Sequence, residues 1–94
     1  MIGAPVSWTE RCEMARSIPI MEIMRRLGLG ESKKCGKQLL MRCPLHDDGR
    51  PSFYIEPKRG LWKCFGCDLG GDGIALWMQV RKVGFAQAVR EIVP

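Results

Sequence analysis

The sequence predicts an α+β fold, a small antiparallel sheet flanked by short helices, and three observations carry that expectation. Ile20, Ile23, Met24 and Leu27 repeat at helical spacing. The middle of the chain then changes to period-2 segments at Lys37–Arg42, Pro51–Glu56 and Leu61–Cys64. Helical spacing returns after Asp72, with Ile74, Trp77, Met78 and Arg81 on one side. With 94 residues, 46% of them apolar and 27% charged, the chain has the size and composition of one globular domain. A disordered tail and a multidomain enzyme are both excluded. A chain this short buries only about 60–65% of its unfolded surface, so its core alone is marginal.

Taken in order, Ser7-Trp8-Thr9-Glu10 fits a capping box and predicts a helix from Trp8 to Arg16, with Trp8, Cys12 and Ala15 on one face. Residues 1–17 are expected to be an N-terminal helical extension and 18–94 the main domain. The second helix starts near Ser17 and Pro19 and stops at Gly28. The polar, basic stretch Gly30–Lys37 is expected to be a loop. Turns are expected at Asp48-Gly49 and at Lys58-Arg59-Gly60. Asp72 caps the next helix, Gly84 breaks it, and Phe85, Ala88, Val89 and Ile92 mark a final one. Gly70-Gly71 lacks a following Lys-Ser/Thr and is not a phosphate loop; the pair is expected to release the chain into the Ile74 helix.

Fifteen Lys+Arg against ten Asp+Glu give a net charge of +5, which points toward a polyanionic partner. Five cysteines, an odd number, argue against a fully paired disulfide framework. Met1–Glu10 has no basic segment of the kind that opens a secretory leader. The longest strongly apolar run, Ile74–Met78, is far short of the roughly 20 residues of a membrane span. A cytoplasmic, reducing compartment is therefore expected, with no membrane partner and no small-molecule substrate. In that setting clustered cysteines bind metal or do redox chemistry.

Cys43-Pro44-Leu45-His46 and Cys64-Phe65-Gly66-Cys67 are two ligand pairs, each with two intervening residues, separated by 17 residues. That spacing lets a tight knuckle aim both side chains at one point about 2.0–2.3 Å away. The intervening strands fold back and bring the knuckles together, so that Cys43, His46, Cys64 and Cys67 close a tetrahedron around one structural Zn²⁺. The fold is then a zinc ribbon, and metal binding, worth on the order of 10–16 kcal/mol in small modules, offsets the thin core. A closed shell leaves no position for a catalytic water. Cys64 and Cys67 as a redox pair, and Cys35 in place of His46, are the competing assignments; Cys12 and Cys35 otherwise read as free thiols.

These strings, together with Pro51-Ser52-Phe53, Trp62-Lys63 and Gly70-Gly71-Asp72, resemble the N-terminal zinc-binding domain of bacterial DnaG-type DNA primases, over roughly Ile18 to Val93. The resemblance implies a zinc ribbon that helps recognise single-stranded template DNA in primer synthesis for DNA replication. It also implies a polymerase domain as partner, in cis in a longer primase or in trans for a free-standing or mobile-element relative. Two positions depart from the family pattern. Asp68 follows the last cysteine where glycine is usual, and Gly49-Arg50 stands where a lysine is common. Related primases carry catalytic acids, including an Asp-x-Asp pair, on a separate domain. Asp47, Asp48, Asp68 and Asp72 are the only aspartates here and none has that spacing, so no enzyme activity is expected of the chain by itself.

A single-strand binder sets cations along a path and offers aromatic faces for bases to stack on. Arg50, Tyr54, Lys58, Arg59, Trp62 and Lys63 fall within or between two adjacent strands and are the candidate nucleic-acid-binding residues. Strand alternation sets Tyr54 opposite Phe53 and Ile55, which face the core. Trp62 and Lys63 point to opposite faces, so Trp62 is either a stacking platform or a core residue over the metal knuckle. Lys58-Arg59 also reads as a solvated turn, and Lys33, Lys34 and Lys37 as a second basic site or a solubilising loop. The competing function is a zinc-stapled interaction module that docks onto a primase or polymerase partner through the helices after Asp72; a thiol redox enzyme is the third.

Overall fold

A computed structural model of the chain describes residues 6–46 and 49–94. The elements run α1 (Trp8–Ser17), α2 (Ile20–Leu27), β1 (Lys33–Cys35), β2 (Gln38–Met41), β3 (Phe53–Glu56), β4 (Leu61–Cys64), β5 (Leu69–Gly71), α3 (Gly73–Arg81) and α4 (Phe85–Ile92). The α+β expectation holds, with two more strands than the sequence suggested. The expected turn at Asp48-Gly49 lies partly outside the described residues.

The helix signals were local and specific. Ser7 caps α1: its hydroxyl oxygen accepts the Glu10 amide at 3.1 Å and its proton goes to the Glu10 carboxylate at 3.1 Å. Gly28, in the left-handed region, closes α2, and Asp72 caps α3 by accepting the Ala75 amide at 2.8 Å. In α2, Ile20, Ile23 and Met24 are buried, as the spacing requires. In α3 the buried set is Ile74, Leu76 and Trp77, whereas Met78 is half-buried and Arg81 exposed. The expected single stripe is too narrow because α3 is covered on two sides, by β4 and β5 and by α2 and α4.

The five strands form one antiparallel meander in the order β1-β2-β3-β4-β5. The register sets Met41 opposite Phe53, Phe53 opposite Cys64, and Ile55 opposite Trp62. These residues are the inner face, buried against the helices. Phe53 and Trp62 stack at 5.2 Å between centroids, and the Trp62 indole N–H donates to the Asp72 carbonyl at 2.8 Å. Trp62 thus ties the sheet to the start of α3.

Two strands escaped the sequence reading. Gly30–Lys37, expected as a loop, contains β1, which forms a hairpin with β2. All three β1 residues are exposed, so no apolar alternation exists to betray the strand, and its lysines protect an open edge. The Gly70-Gly71 pair is not a free exit but part of β5. A Cβ at Gly71 would lie 2.6 Å from the Ala75 Cβ, so glycine is what lets α3 pack closely against the strand.

α1 buries Cys12 and Ala15 in the same core as the rest of the chain. Two reciprocal cation–π contacts fasten it to α4: Arg90 sits 5.4 Å from the Trp8 ring and Arg16 sits 5.9 Å from the Phe85 ring. Arg26 of α2 donates to the Ile92 carbonyl at 3.1 Å. Between α3 and α4, Glu91 accepts from the Trp77 indole at 2.8 Å, from Gln87 at 3.0 Å and from Arg81 at 3.3 Å.

Those bonds, the Trp77 indole first, hold the Glu91 carboxyl below the ordinary carboxylate value. A depressed carboxylate contributes stability above its unfolded pKa and loses it as pH falls through the folded one. Glu91→Gln should therefore lower the melting temperature at neutral pH. The gap to wild type should shrink as the pH drops from about 5 toward about 3. Parallel thermal melts of both proteins measure it, since acid loss of any metal is common to the two.

Candidate metal centre

The sheet brings the two ligand pairs to one end of the β3–β4 hairpin. Cys43 and His46 lie on the connection after β2, Cys64 ends β4, and Cys67 sits in the turn before β5. The ligand atoms of Cys43, His46, Cys64 and Cys67 all lie within 4.8 Å of one another. The Cys43 and Cys67 sulfurs are 3.5 Å apart, and His46 presents Nδ1 to the Cys67 sulfur at 2.7 Å. Tetrahedral ligands at about 2.0–2.3 Å from an ion stand less than 4 Å from each other, so the group is already near that spacing.

Each knuckle turns a backbone amide onto its first sulfur: Leu45 N–H to Cys43 at 3.4 Å and Cys67 N–H to Cys64 at 3.3 Å. Gly66 makes room for the ring, because a Cβ there would meet His46 Cε1 and Nε2 at 2.9 Å and Ser52 Oγ at 3.0 Å. Asp68 takes up the left-handed conformation that glycine adopts freely, with φ of 58°. Its carboxylate receives the Lys63 ammonium at 2.9 Å.

The electrostatics explain why the group needs a cation. Burial, helped by the neighbouring sulfurs, pushes the Cys43 thiol up to about 12. Burial acts the same way on Cys64, but hydrogen bonds from Ser52, the Cys67 amide and the adjacent thiols outweigh it and hold that thiol below its ordinary value. A divalent ion bound among close thiols is what allows all of them to ionise together. Three sulfurs and one imidazole in a closed group fit a single structural zinc. Cys12, buried in α1, and Cys35, exposed on β1, stand outside the group, which takes His46 rather than Cys35 as its fourth member.

The candidate nucleic-acid residues separate into four groups. Tyr54 and Lys63 are directly opposite one another on the outward face of the sheet. Trp62 is on the other face and only 3% exposed, so it is not brought together with them. Its indole is better satisfied in the core, where Phe53 and the Asp72 carbonyl receive it. Lys58 and Arg59 are exposed at the far turn of the hairpin, where with Arg16 they border a cleft of about 370 Å³. Arg50 is exposed beside the zinc end of the sheet. Sequence reasoning missed Phe65, which is 68% exposed and meets the Tyr54 ring edge-on at 5.3 Å. Its signal was its place between two ligands, where a tight knuckle gives a bulky ring no route into the core.

Purified, reduced protein should carry one equivalent of zinc. Chelation or Cys64→Ser should collapse the sheet, while Cys12→Ala and Cys35→Ser should retain full zinc. Metal analysis alongside circular dichroism checks all four.

The CHC2 zinc finger family pattern matches residues 10–94. The DNA primase of Aquifex aeolicus is 35% identical over 81 residues, covering 85% of this chain and 16% of that protein. The DNA primase of Campylobacter jejuni is 40% identical over 62 residues, covering 66% and 10%. The crystal structure of the zinc-binding and RNA polymerase domains of the Aquifex aeolicus primase superposes with a TM-score of 0.77 at 30% identity, covering 87% of this chain and 20% of that one. The chain therefore spans only about a tenth to a fifth of these relatives. Among described residues, no helix is long and apolar enough to cross a membrane. With the family pattern matched over residues 10–94, the fold shared with the primase zinc-binding domain and a Cys/His group of its own, the chain belongs to the CHC2 zinc finger family and is a zinc-binding domain of the DnaG primase type.

Proposed function

We propose that this chain is a non-catalytic module that recognises single-stranded template DNA in primer synthesis, with a primase polymerase domain as its partner in cis or in trans. The observation that carries the reading is the juxtaposition of Tyr54, Phe65 and Lys63 on the outward face of the sheet, beside the zinc knuckle. Aromatic faces accept any base, and an adjacent cation meets the phosphate between bases. Arg50 extends the charge on the zinc side, and Lys58 and Arg59 extend it at the far turn. Trp62 supports this face from behind by fixing β4 against α3. Lys63 also forms an exposed salt bridge with Asp68 at 2.9 Å.

The domain should bind single-stranded DNA weakly, in the micromolar range or poorer, because few phosphates are neutralised. Tyr54→Ala and Phe65→Ala should each cost about 1–3 kcal/mol of affinity if a base stacks on them. Lys63→Ala should lower the salt slope by about 0.7. Fluorescence titrations at two salt concentrations, with single- and double-stranded oligonucleotides, check this; equal affinity of wild type and Tyr54→Ala would overturn the reading.

The isolated chain should not make primers. Nucleotidyl transfer uses carboxylates that hold Mg²⁺ ions about 3.5–4 Å apart. Among the described residues, the one metal-ligand group is the closed Cys/His set, and Asp72 is committed to its helix cap. Ribonucleotide incorporation should arise only when a polymerase domain is joined or added, as a template-dependent extension assay would read.

A further inference from the structure

A groove of about 500 Å³ opens between the start of β1, the end of β2 and the first ligand knuckle. Its apolar side chains are Leu40, Pro44 and Pro51, with Met41 below them, and its cations are Lys33 and Arg42. Glu31 is the one carboxylate that borders it. Lys33 faces Leu40 across the β1–β2 pair, Leu40 faces Tyr54 across β2–β3, and Tyr54 faces Lys63 across β3–β4. One row of side chains, Lys33–Leu40–Tyr54–Lys63, therefore runs over four strands on the outward face. At about 4.8 Å per strand spacing it covers roughly 14 Å. The aromatic pair lies toward one end of the row and the groove at the other.

We propose that this groove seats one nucleotide of the strand that crosses the outward face, its base against the apolar lining and its phosphate between Arg42 and Lys33. The proposal rests on the single-strand reading above and adds to it a second subsite on the β1–β2 hairpin. An apolar cleft bordered by two cations suits a planar base that carries an anionic link, and a volume near 500 Å³ is within the usual range of about 300–1,000 Å³ for small-ligand clefts. The hairpin lysines then divide by strand alternation. Lys33 lies on the outward face with Leu40, while Lys34 pairs with Leu39 on the other face.

The test uses the zinc-loaded chain and fluorescein-labelled oligo(dT) of three to ten nucleotides, titrated at two salt concentrations. Lys33→Ala/Arg42→Ala should weaken binding about tenfold, lower the salt slope by about 0.7, and shorten by one nucleotide the length at which affinity stops rising. Lys34→Ala/Lys37→Ala removes the same charge from the same hairpin and should lose much less. Equal losses in the two double variants would overturn the groove in favour of diffuse charge. So would an unchanged Lys33→Ala/Arg42→Ala protein alongside a weakened Tyr54→Ala one, which leaves the aromatic reading standing. Loss in Lys33→Ala/Arg42→Ala with none in Tyr54→Ala would keep the groove and remove the aromatic reading. No binding by wild type at any length would overturn both.

Discussion

The convergence of four ligands on one point governs the rest of the structure. Cys64 ends β4 directly opposite Phe53 at the start of β3, so the metal end and the aromatic core share a register. A one-residue slip of β4 would move Cys64 to the outward face and bring Lys63 into the core. The zinc therefore fixes more than a loop. It pins the alternation of the central hairpin, and through Trp62 and its bond to the Asp72 carbonyl it pins the start of α3. The helices then pack mostly on α3 rather than spreading over the sheet.

That division leaves the sheet with two unlike faces. The inner face holds Phe53, Ile55 and Trp62 at or near complete burial, in one core with residues of all four helices. Among the described residues no helix lies on the outward face, and its side chains are polar, cationic or half-exposed. A core carried on one sheet face and a ligand cluster at one end suffice for a chain of 94 residues because the metal supplies the order that a second layer would otherwise provide. That face is the one the proposed single-strand reading uses.

Much of this was legible in the sequence because the signals were local. The cap residues Ser7 and Asp72, the stripe of α2 and the two ligand pairs each depend on a few neighbouring residues, and each appears where the spacing put it. What escaped depends on distant packing. β1 carries no apolar pattern because both its faces are wet, and β5 hides behind glycines demanded by Ala75 of α3. Trp62 was ambiguous for the same reason: alternation set it opposite Lys63, but only the position of α3 decides which face is inside. Leu76 was omitted from the core because a stripe argument allows one buried side, and α3 has two.

Asp68 shows how a departure from the family pattern is absorbed. A residue other than glycine in the left-handed region costs on the order of 1 kcal/mol, and aspartate is among the residues that tolerate it best. The exposed ion pair with Lys63 returns little of that in high dielectric. Its consequence is geometric instead. Lys63 lies on β4 opposite Tyr54, and Asp68 lies on the knuckle just beyond Cys67, so the pair joins the metal turn to the outward face across five residues of chain. With glycine at this position the turn would form as readily, but Lys63 would lose the carboxylate that draws its ammonium toward the knuckle. Asp68 thus gives the Lys63 ammonium a carboxylate partner on the side of the Tyr54–Phe65 pair that leads to the knuckle.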